Sequence, residues 1–416
     1  MGQTSASYRK EILELDQSIS LSEIISALSF AIEITDGTMH GHALRSCILG
    51  LRIAEEAGFT TEEKNSLYYA LLLKDIGNEE MIGLRCDRGA SIISKLGMGR
   101  LAAEAVGSLE AHWDGSGYPN RMRGEEIPRL GRLCAIAQHL DMFSIGRNPE
   151  IAIETMKDWS GSWFDPELVK AALALDRRGT LWTHCRAADP HEATRAAVLE
   201  LDPRSSQPLD DDQIDRICEA FAEVVDAKSH FTFRHSRGVA ELSRGIAENL
   251  HLPPDRVQLV WRAALLHDLG KLSISNRILD KTTQLTEAEW TVVKRHPGLT
   301  RKILEQIGPF QEIAIVAGEH HEKLDGSGYP NRLRARDLSI ESRIVAVADI
   351  YGALSEDRPY RAGLSYEEIL PILNTLRKGQ LDQGCIDALL AYLDDFYPAD
   401  INPSMGINGR LTQFCA

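Results

Sequence analysis

Hydrophobic residues recur at helical spacing at the start of each half of the chain. Ser20 and Glu23 fit a capping box ahead of the first apolar stripe, and acidic residues at 210–212 precede the second. Segments 256–267 and 343–354 are rich in Ala, Leu and Val over lengths that suit buried helices. Because no alternating pattern competes with them, the sequence predicts an all-α fold. The two stripes are Leu21, Ile24, Ile25, Leu28 and Ile32, and Ile214, Ile217, Phe221, Val224 and Val225.

The chain contains an internal repeat. The octamer DGSGYPNR occurs at Asp114–Arg121 and again at Asp325–Arg332, an offset of 211 residues. Upstream, LLLKDIGN at 71–78 matches ALLHDLGK at 264–271 at an offset of 193, which His42 and His235 also share. The growth of the offset from 193 to 211 predicts an 18-residue insertion near 273–291 of the second copy.

The repeat predicts two tandem helical bundles. We place the first at residues 1–180 and the second at 209–416. Between them, residues 181–208 form a polar, proline-containing stretch that is typical of a linker.

Composition restricts the class of partner. The 416 residues include 46 Lys and Arg against 61 Asp and Glu, which gives a net charge of −15. DNA and RNA are bound largely through basic surfaces, so this balance argues against a nucleic-acid partner. The first residues lack the apolar core of a signal peptide, and no stretch approaches the roughly 20 apolar residues of a membrane span. We therefore expect a soluble, cytoplasmic protein without a membrane partner. The seven cysteines form no CxxC pair, so we expect them to be buried thiols.

The second copy carries a cluster of candidate metal ligands. Residues that are adjacent on a helix point about 100° apart, so His267 with Asp268, and His320 with His321, suit two neighbouring metal ions. Imidazoles with few carboxylates favour Fe, Mn, Zn or Ni over Mg or Ca, and the sequence does not choose among them. The full set is His235, His267, Asp268, His296, His320, His321 and Asp349.

The motifs around these residues resemble the HD-GYP family of bacterial cyclic di-GMP phosphodiesterases. They cover about residues 212–400 and come in the family's order. The resemblance implies an HD-type helical bundle with two or three metals, often iron or manganese. It also implies a hydrolase of bacterial signalling that converts cyclic di-GMP to pGpG, and in some members on to GMP. The motifs are FRHS at 233–236, HDLGK at 267–271, KRHP at 294–297, HHEKLDGSGYP at 320–330, ADIYGAL at 348–354 and EDRPYR at 356–361.

Carried over by position, the resemblance implies two divalent ions bridged by Asp268. Three-metal members have a glutamate four residues before the first histidine, where this chain has Phe231. We therefore predict two ions, preferably Fe or Mn, with Ni, Zn or Mg as alternatives. One would be held by His235, His267, Asp268 and Asp349, and the other by Asp268, His296, His320 and His321.

The resemblance also suggests how the reaction proceeds. The two metals would bind phosphate oxygens and lower the pKa of a bridging water, whose hydroxide attacks in line. Asp268 and Lys271 are the predicted catalytic residues, and Lys271 would neutralise charge in the transition state. Gly352 departs from the acidic residue common at its position in the family. The predicted substrate contacts are Lys271, Tyr329, Arg358, Tyr360 and Arg361.

In the first copy most of these ligands are replaced. His42 and Asp75 remain, but the other five positions and that of Lys271 differ. Because lysine and arginine add positive charge and remove lone pairs, we predict a metal-free, inactive domain that regulates or dimerises. We expect its retained DGSGYPNR loop to be structural, with a regulatory or partner surface as the alternative. The replacements are Lys74 for His267, Arg85 for His296, Leu109 and Glu110 for His320 and His321, Gln138 for Asp349 and Asn78 for Lys271.

Alternative functions follow from the same residues. Hydrolysis of 3′3′-cyclic GMP-AMP is the nearest, since some family members prefer that substrate. A binding or adaptor module that contacts diguanylate cyclases is the second, and intact metal ligands argue against it. A phosphohydrolase of mononucleotides is the third, and the complete motif set argues against that. The expected partners are a cyclic dinucleotide, a second copy of the chain and a diguanylate cyclase.

Overall fold

The protein was analysed as a computed structural model that describes residues 19–36, 41–77, 82–119, 122–146, 148–183, 185, 190–203, 209–228, 235–356 and 362–396. It divides into two compact units, Met1–Asp210 and Asp211–Ala416. The described residues form helices and no strand, so the all-α prediction is confirmed. None of these helices combines the length and the apolar character that crossing a bilayer requires.

The first unit contains nine α-helices among its described residues. The helix α2 lies at its centre and packs against α3, α6 and α8. Gly50 permits the α2–α3 contact, because a Cβ at this position would lie 2.4 Å from Leu71 Cδ1. The helices are α1 (Leu21–Asp36), α2 (His42–Glu56), α3 (Thr61–Leu73), α4 (Ile82–Lys95), α5 (Arg100–Gly107), α6 (Arg129–Gly146), α7 (Pro149–Asp158), α8 (Pro166–Arg177) and α9 (Pro190–Glu200).

The predicted linker differs from the structure. Within residues 181–208, helix α9 packs against α1 and α2, and Val198 is fully buried. The Tyr68 hydroxyl donates a hydrogen bond to the Val198 carbonyl at 3.2 Å. The described part of this stretch therefore belongs to the first unit, whose boundary lies at Asp210. The prolines at 190 and 203 suggested a connector, but they lie at the start of the helix and beyond its end.

The second unit contains ten α-helices among its described residues. The helix α11 lies at its centre and packs against α12, α17 and α19. The short helices α13 and α14 occupy the region of the predicted insertion. The helices are α10 (Asp211–Asp226), α11 (His235–Asn249), α12 (Pro254–Leu266), α13 (Asn276–Leu279), α14 (Glu287–Val293), α15 (His296–Leu304), α16 (Gln311–Gly318), α17 (Ile340–Ser355), α18 (Tyr366–Leu376) and α19 (Gln383–Phe396).

Local sequence signals define several helix starts. The predicted capping box is present at α1, where Glu23 N–H donates to Ser20 Oγ at 3.2 Å and Ser20 N–H donates to Glu23 Oε2 at 3.0 Å. Thr286 and Glu289 form the same motif ahead of α14. Each pair satisfies backbone N–H groups that the first turn leaves free.

Candidate metal centre

The structure brings all seven predicted ligands of the second unit together, six of them from the ends of helices. His235 begins α11, His267 follows α12, His296 begins α15, and the pair at 320–321 follows α16. Asp349 lies in the third turn of α17. The ligands therefore come from five helices, and six of the seven residues are buried, with His321 partly exposed.

Backbone carbonyl groups orient three of the histidines. His267 Nδ1 lies 2.6 Å from the Ala264 carbonyl oxygen, and His296 and His320 make the same contact with residues 293 and 317 at 2.7 Å. Since a carbonyl oxygen accepts, each Nδ1 donates a proton to it, and each Nε2 faces Asp268. Metal-bound histidines are commonly fixed in this way.

One group of ligand atoms consists of His235, His267 and Asp268, which lie within 4.8 Å of one another. Asp268 Oδ2 is 3.3 Å from His267 Nε2 and 3.9 Å from His235 Nε2. Asp349 Oδ1 faces the same two imidazoles, at 3.7 Å and 3.3 Å. Two imidazoles and two carboxylate oxygens thus point to one region.

The second group consists of His296, His320 and His321. Asp268 turns its other oxygen towards this group, with Oδ1 at 3.3 Å from His296 Nε2 and 3.9 Å from His320 Nε2. Asp349 Oδ2 lies 3.4 Å from His321 Nδ1. Asp268 therefore faces both groups, as a bridging carboxylate must. Asp349, which the sequence assigned to one metal, also faces both.

Unpartnered buried atoms make this arrangement suited to a cation. Among the described residues, His267 Nε2 and Asp268 Oδ1 are buried without a hydrogen-bond partner. A buried polar atom without a partner is costly, and a metal ion that displaced the Nε2 proton of His267 would satisfy both atoms. The donor set of imidazole nitrogens and carboxylate oxygens fits a borderline divalent ion.

The two groups differ in protonation. Burial disfavours charge on His267, but the carboxylates of Asp268 and Asp349 outweigh it and raise the pKa to about 10. Burial and neighbouring imidazoles lower the pKa of His320 well below its ordinary value, and burial is the main cause that lowers the pKa of His321 to about 3. The imidazoles at 320 and 321 are therefore neutral at pH 7, which is the form that binds metals.

Lys271 lies at the edge of the centre. It belongs to a short 3-10 helix, Leu269–Ser273, and its ammonium group forms an ion pair with Asp268 Oδ2. The preceding Gly270 is required by close packing, because a Cβ there would lie 2.1 Å from the His296 carbonyl oxygen. The HDLGK motif therefore places a candidate ligand, the carboxylate that faces both histidine groups and a cation within five residues.

The DGSGYPNR loop at Asp325–Arg332 forms one wall of the centre. The Tyr329 ring lies 4.8 Å from the His321 ring, and the Lys294 ammonium lies 5.7 Å from the Tyr329 ring. Glu322, which the sequence did not single out as functional, accepts from the N–H groups of Asn331 and Leu333 at 2.6 and 2.9 Å. Glu322 directly follows the histidine pair at 320–321, and this position is the sequence signal that could have identified it as the residue that holds the loop. The predicted contacts Arg358, Tyr360 and Arg361, and Phe231, lie outside the described residues.

In the first unit, side chains of opposite charge occupy the matching positions. Lys74 is buried and pairs with Asp75, while Arg85 pairs with Glu110. The correspondence of Arg85 with His296 is supported by Gly77, whose Cβ would lie 1.9 Å from the Arg85 carbonyl oxygen, as at Gly270. Within the described parts of the chain, both metal-type groups lie in the second unit.

Comparison with known proteins agrees with this two-unit architecture. The HD domain family matches twice, over residues 27–168 and 219–384, so that each unit carries one match. The chain belongs to the HD-domain family. The tandem arrangement predicted from the repeat is thereby supported, and we refer to the units as the first and second HD domains.

Two relatives and one solved structure are informative. The 3'3'-cGAMP-specific phosphodiesterase 3 of Vibrio cholerae is 33% identical, over 89% of this chain and 94% of its own length. A cyclic di-GMP phosphodiesterase response regulator of Xanthomonas campestris is 37% identical, over 49% of this chain and 52% of its own. A crystal structure of a cyclic GMP-AMP-specific phosphodiesterase of V. cholerae superposes with a TM-score of 0.66 and 32% identity, covering 91% of this chain and 98% of that one.

Proposed function

We propose that the second HD domain is a metal-dependent phosphodiesterase that hydrolyses a cyclic dinucleotide. The observation that carries the proposal is the convergence of five histidines on two carboxylates that each face both histidine groups. Carboxylates in this position support two ions about 3.5–4 Å apart, the spacing used for phosphodiester cleavage. The relatives' names support the same class of substrate.

The proposed cofactor is a pair of divalent ions, preferably Fe or Mn, with Ni, Zn or Mg as alternatives. When bound, such ions polarise a phosphate and make water nucleophilic near neutral pH. Asp268 would contact both ions and Asp349 would complete their surroundings. The metal-free protein already orients the imidazoles of His267, His296 and His320 through their Nδ1 contacts, so little reorganisation is needed on binding.

Lys271 is the proposed partner of the reacting phosphate. Its ammonium group lies against the carboxylate that would bridge the ions, on a side chain that is 18% exposed. There it would stabilise the negative charge that develops as water oxygen joins phosphorus and the P–O3′ bond breaks. The leaving O3′ gains a proton, and the product is a linear dinucleotide. Tyr329 is the proposed wall for the substrate, while Arg358, Tyr360 and Arg361 stay predictions for its second phosphate and bases.

Two substrates are compatible with this chemistry. Cyclic di-GMP is the substrate that the motifs predict, giving pGpG and, after a second hydrolysis, GMP. The second candidate is 3′3′-cyclic GMP-AMP, and one observation favours it. The relative that aligns with both HD domains is named for that substrate, whereas the cyclic di-GMP relative from Xanthomonas aligns with half of this chain.

A paired assay tests the activity and the choice of substrate. The purified protein would be loaded with Mn²⁺, or anaerobically with Fe²⁺, and given each dinucleotide separately. We expect a linear product from wild type and none from Asp268→Ala, and the larger kcat/KM identifies the preferred substrate. Equal turnover by wild type and variant, or no turnover with any metal, would contradict the proposed phosphodiesterase activity. Tight binding of a dinucleotide without any turnover would instead favour the adaptor function.

For the first HD domain we propose a metal-free role in regulation or dimerisation. Its support is the ion pair of the buried Lys74 with Asp75, which places a fixed cation where the second domain has a histidine. Size-exclusion chromatography with light scattering, with and without substrate, tests this role. We expect the mass of two chains, or a mass that changes when substrate is added. A single-chain mass that is the same with and without substrate would contradict this role.

A further inference from the structure

His235 is oriented by a side chain, unlike the three histidines held by backbone carbonyl groups. Its Nδ1 lies 2.8 Å from Glu356 Oε2, while its Nε2 faces Asp349 Oδ1 at 3.3 Å. The imidazole is almost fully buried, whereas the Glu356 side chain is 23% exposed. Since a carboxylate accepts, this contact keeps the proton on Nδ1 and the lone pair on Nε2.

The first HD domain makes the same contact from another position. His42 matches His235, and its Nδ1 lies 2.7 Å from Asp141 Oδ2. At the offset of 211, which also aligns the starts of α6 and α17, Asp141 matches Gly352. Glu356 lies four residues further along, one helical turn away, and its N–H donates to the Gly352 carbonyl at 3.1 Å. Glu356 directly follows the last residue of α17 in an extended conformation, and its side chain reaches the imidazole of His235 from there.

A neighbouring position has changed together with Gly352. A Cβ built on Gly352 would lie 3.1 Å from Val239 Cγ2, which is tighter than ordinary contact. At the offset of 193, Val239 matches Ser46, a smaller residue that is fully buried. The first domain thus combines Ser with Asp at these two positions, and the second combines Val with Gly and carries the carboxylate four residues later.

We propose that Glu356 is the positioning residue of His235, replacing the carboxylate that the first domain carries at Asp141. This inference rests on the proposed metal centre and adds the group that aims its first histidine at the ions. It also explains why Gly352 is tolerated, because the carboxylate that contacts the histidine is supplied by Glu356 instead.

The test measures Mn²⁺ affinity by calorimetry, independently of activity. We expect Glu356→Ala to weaken Mn²⁺ binding about 10- to 100-fold, as removal of such an outer partner does in other sites. The matched control is Glu305→Ala, which removes an exposed glutamate of the same domain and should leave the affinity unchanged. Thermal unfolding of the variants without metal would check that each of them keeps its fold.

A rescue variant separates positioning from a general structural effect. In the first domain Asp141 also pairs with Arg45 at 2.7 Å, and Arg45 matches Gly238 at the offset of 193. Adding Val239→Ser and Gly352→Asp to Glu356→Ala therefore restores a carboxylate at the matching position without its arginine partner, and we expect part of the lost affinity to return. Wild-type affinity in Glu356→Ala, or no recovery in the triple variant, would overturn the inference. A wild-type protein that binds no Mn²⁺ would instead contradict the proposed metal centre itself.

Discussion

The two HD domains stabilise a matching carboxylate in different ways. In the first domain Asp75 is paired with the ammonium group of Lys74, which is part of the same chain. In the second, one oxygen of Asp268 pairs with the ammonium group of Lys271, and the other is buried among imidazoles without a hydrogen-bond partner. A buried polar atom without a partner is costly. The comparison indicates that each carboxylate has a lysine partner, and that the second domain also surrounds its carboxylate with imidazoles, the ligands that a metal ion would need.

The loop that follows the candidate centre persists without the centre. In both domains the loop aspartate accepts from the N–H two residues later, at 2.9 Å in the first and 2.8 Å in the second. The N–H groups of Tyr118 and Tyr329 donate to the carbonyls of Glu110 and His321. This conserved geometry favours the structural interpretation of the first loop, because it survives where the histidines are absent.

The largest expected effect distinguishes the matching carboxylates. Asp268→Asn removes the carboxylate that faces both histidine groups, so we expect activity to fall by at least about 100-fold and bound metal to be lost. The matched variant Asp75→Asn alters the paired carboxylate of the first domain and should preserve both. Metal analysis and initial rates check the pair. A comparable loss in the two variants would show that the domains do not differ as described.

Lys271 is expected to affect turnover more than metal binding. Lys271→Met removes the ammonium group beside Asp268 while keeping the length of the side chain. We expect kcat to fall about 100-fold, in the range for losing one transition-state charge contact, with metal content retained. Stopped assays with metal analysis on the same sample check this. Loss of metal in proportion to activity would identify Lys271 as a structural partner of Asp268 instead.

Metal binding to the second domain should depend on pH. Without a bound metal, the His267 ring is protonated on both nitrogens at neutral pH, since its pKa is raised to about 10. A metal must displace this proton, so the apparent affinity should rise by up to about tenfold per pH unit between pH 6.5 and 8.5. Without a bound metal, the raised pKa of His267 stabilises the fold fully below about pH 6.5, the ordinary pKa of histidine, and this stabilisation is lost as the pH rises through 10. Calorimetry in buffers of different ionisation enthalpy checks the proton release, and a pH-independent affinity would contradict it.

The smallest expected effect on activity is in the first domain. Lys74→Met leaves Asp75 without its ammonium partner, and because the Asp75 side chain is 25% exposed, we expect a loss of about 1–2 kcal/mol in the free energy of unfolding. Activity and metal content of the second domain should remain unchanged. Denaturant unfolding monitored by circular dichroism, alongside initial rates, checks both parts. A loss of bound metal in this variant would place a metal-dependent centre in the first domain.

Local patterns predicted helices such as α1, because helix capping depends on residues that are near in sequence. The ordered motifs named the seven candidate ligands, which the structure brings together, and their role in metal binding stays a prediction. Helix α9 was missed since its stability comes from packing Val198 against the first unit, and composition alone favoured a linker. The two-sided position of Asp349 and the contact between Glu356 and His235 were also missed. They depend on how α11 and α17 pack, across more than 100 residues of chain. The departure at Gly352 was visible in the sequence, but its compensation was visible only in three dimensions.

Counting the metal ions bound per chain tests the central claim most directly. Elemental analysis of the protein loaded with Mn²⁺ should give about two ions for wild type, the number expected of a two-metal site. Asp268→Ala should lose them, and His42→Ala, altered in the first domain, should keep them. A wild-type protein without metal, or one whose ions are lost on changing His42 but not Asp268, would contradict the account.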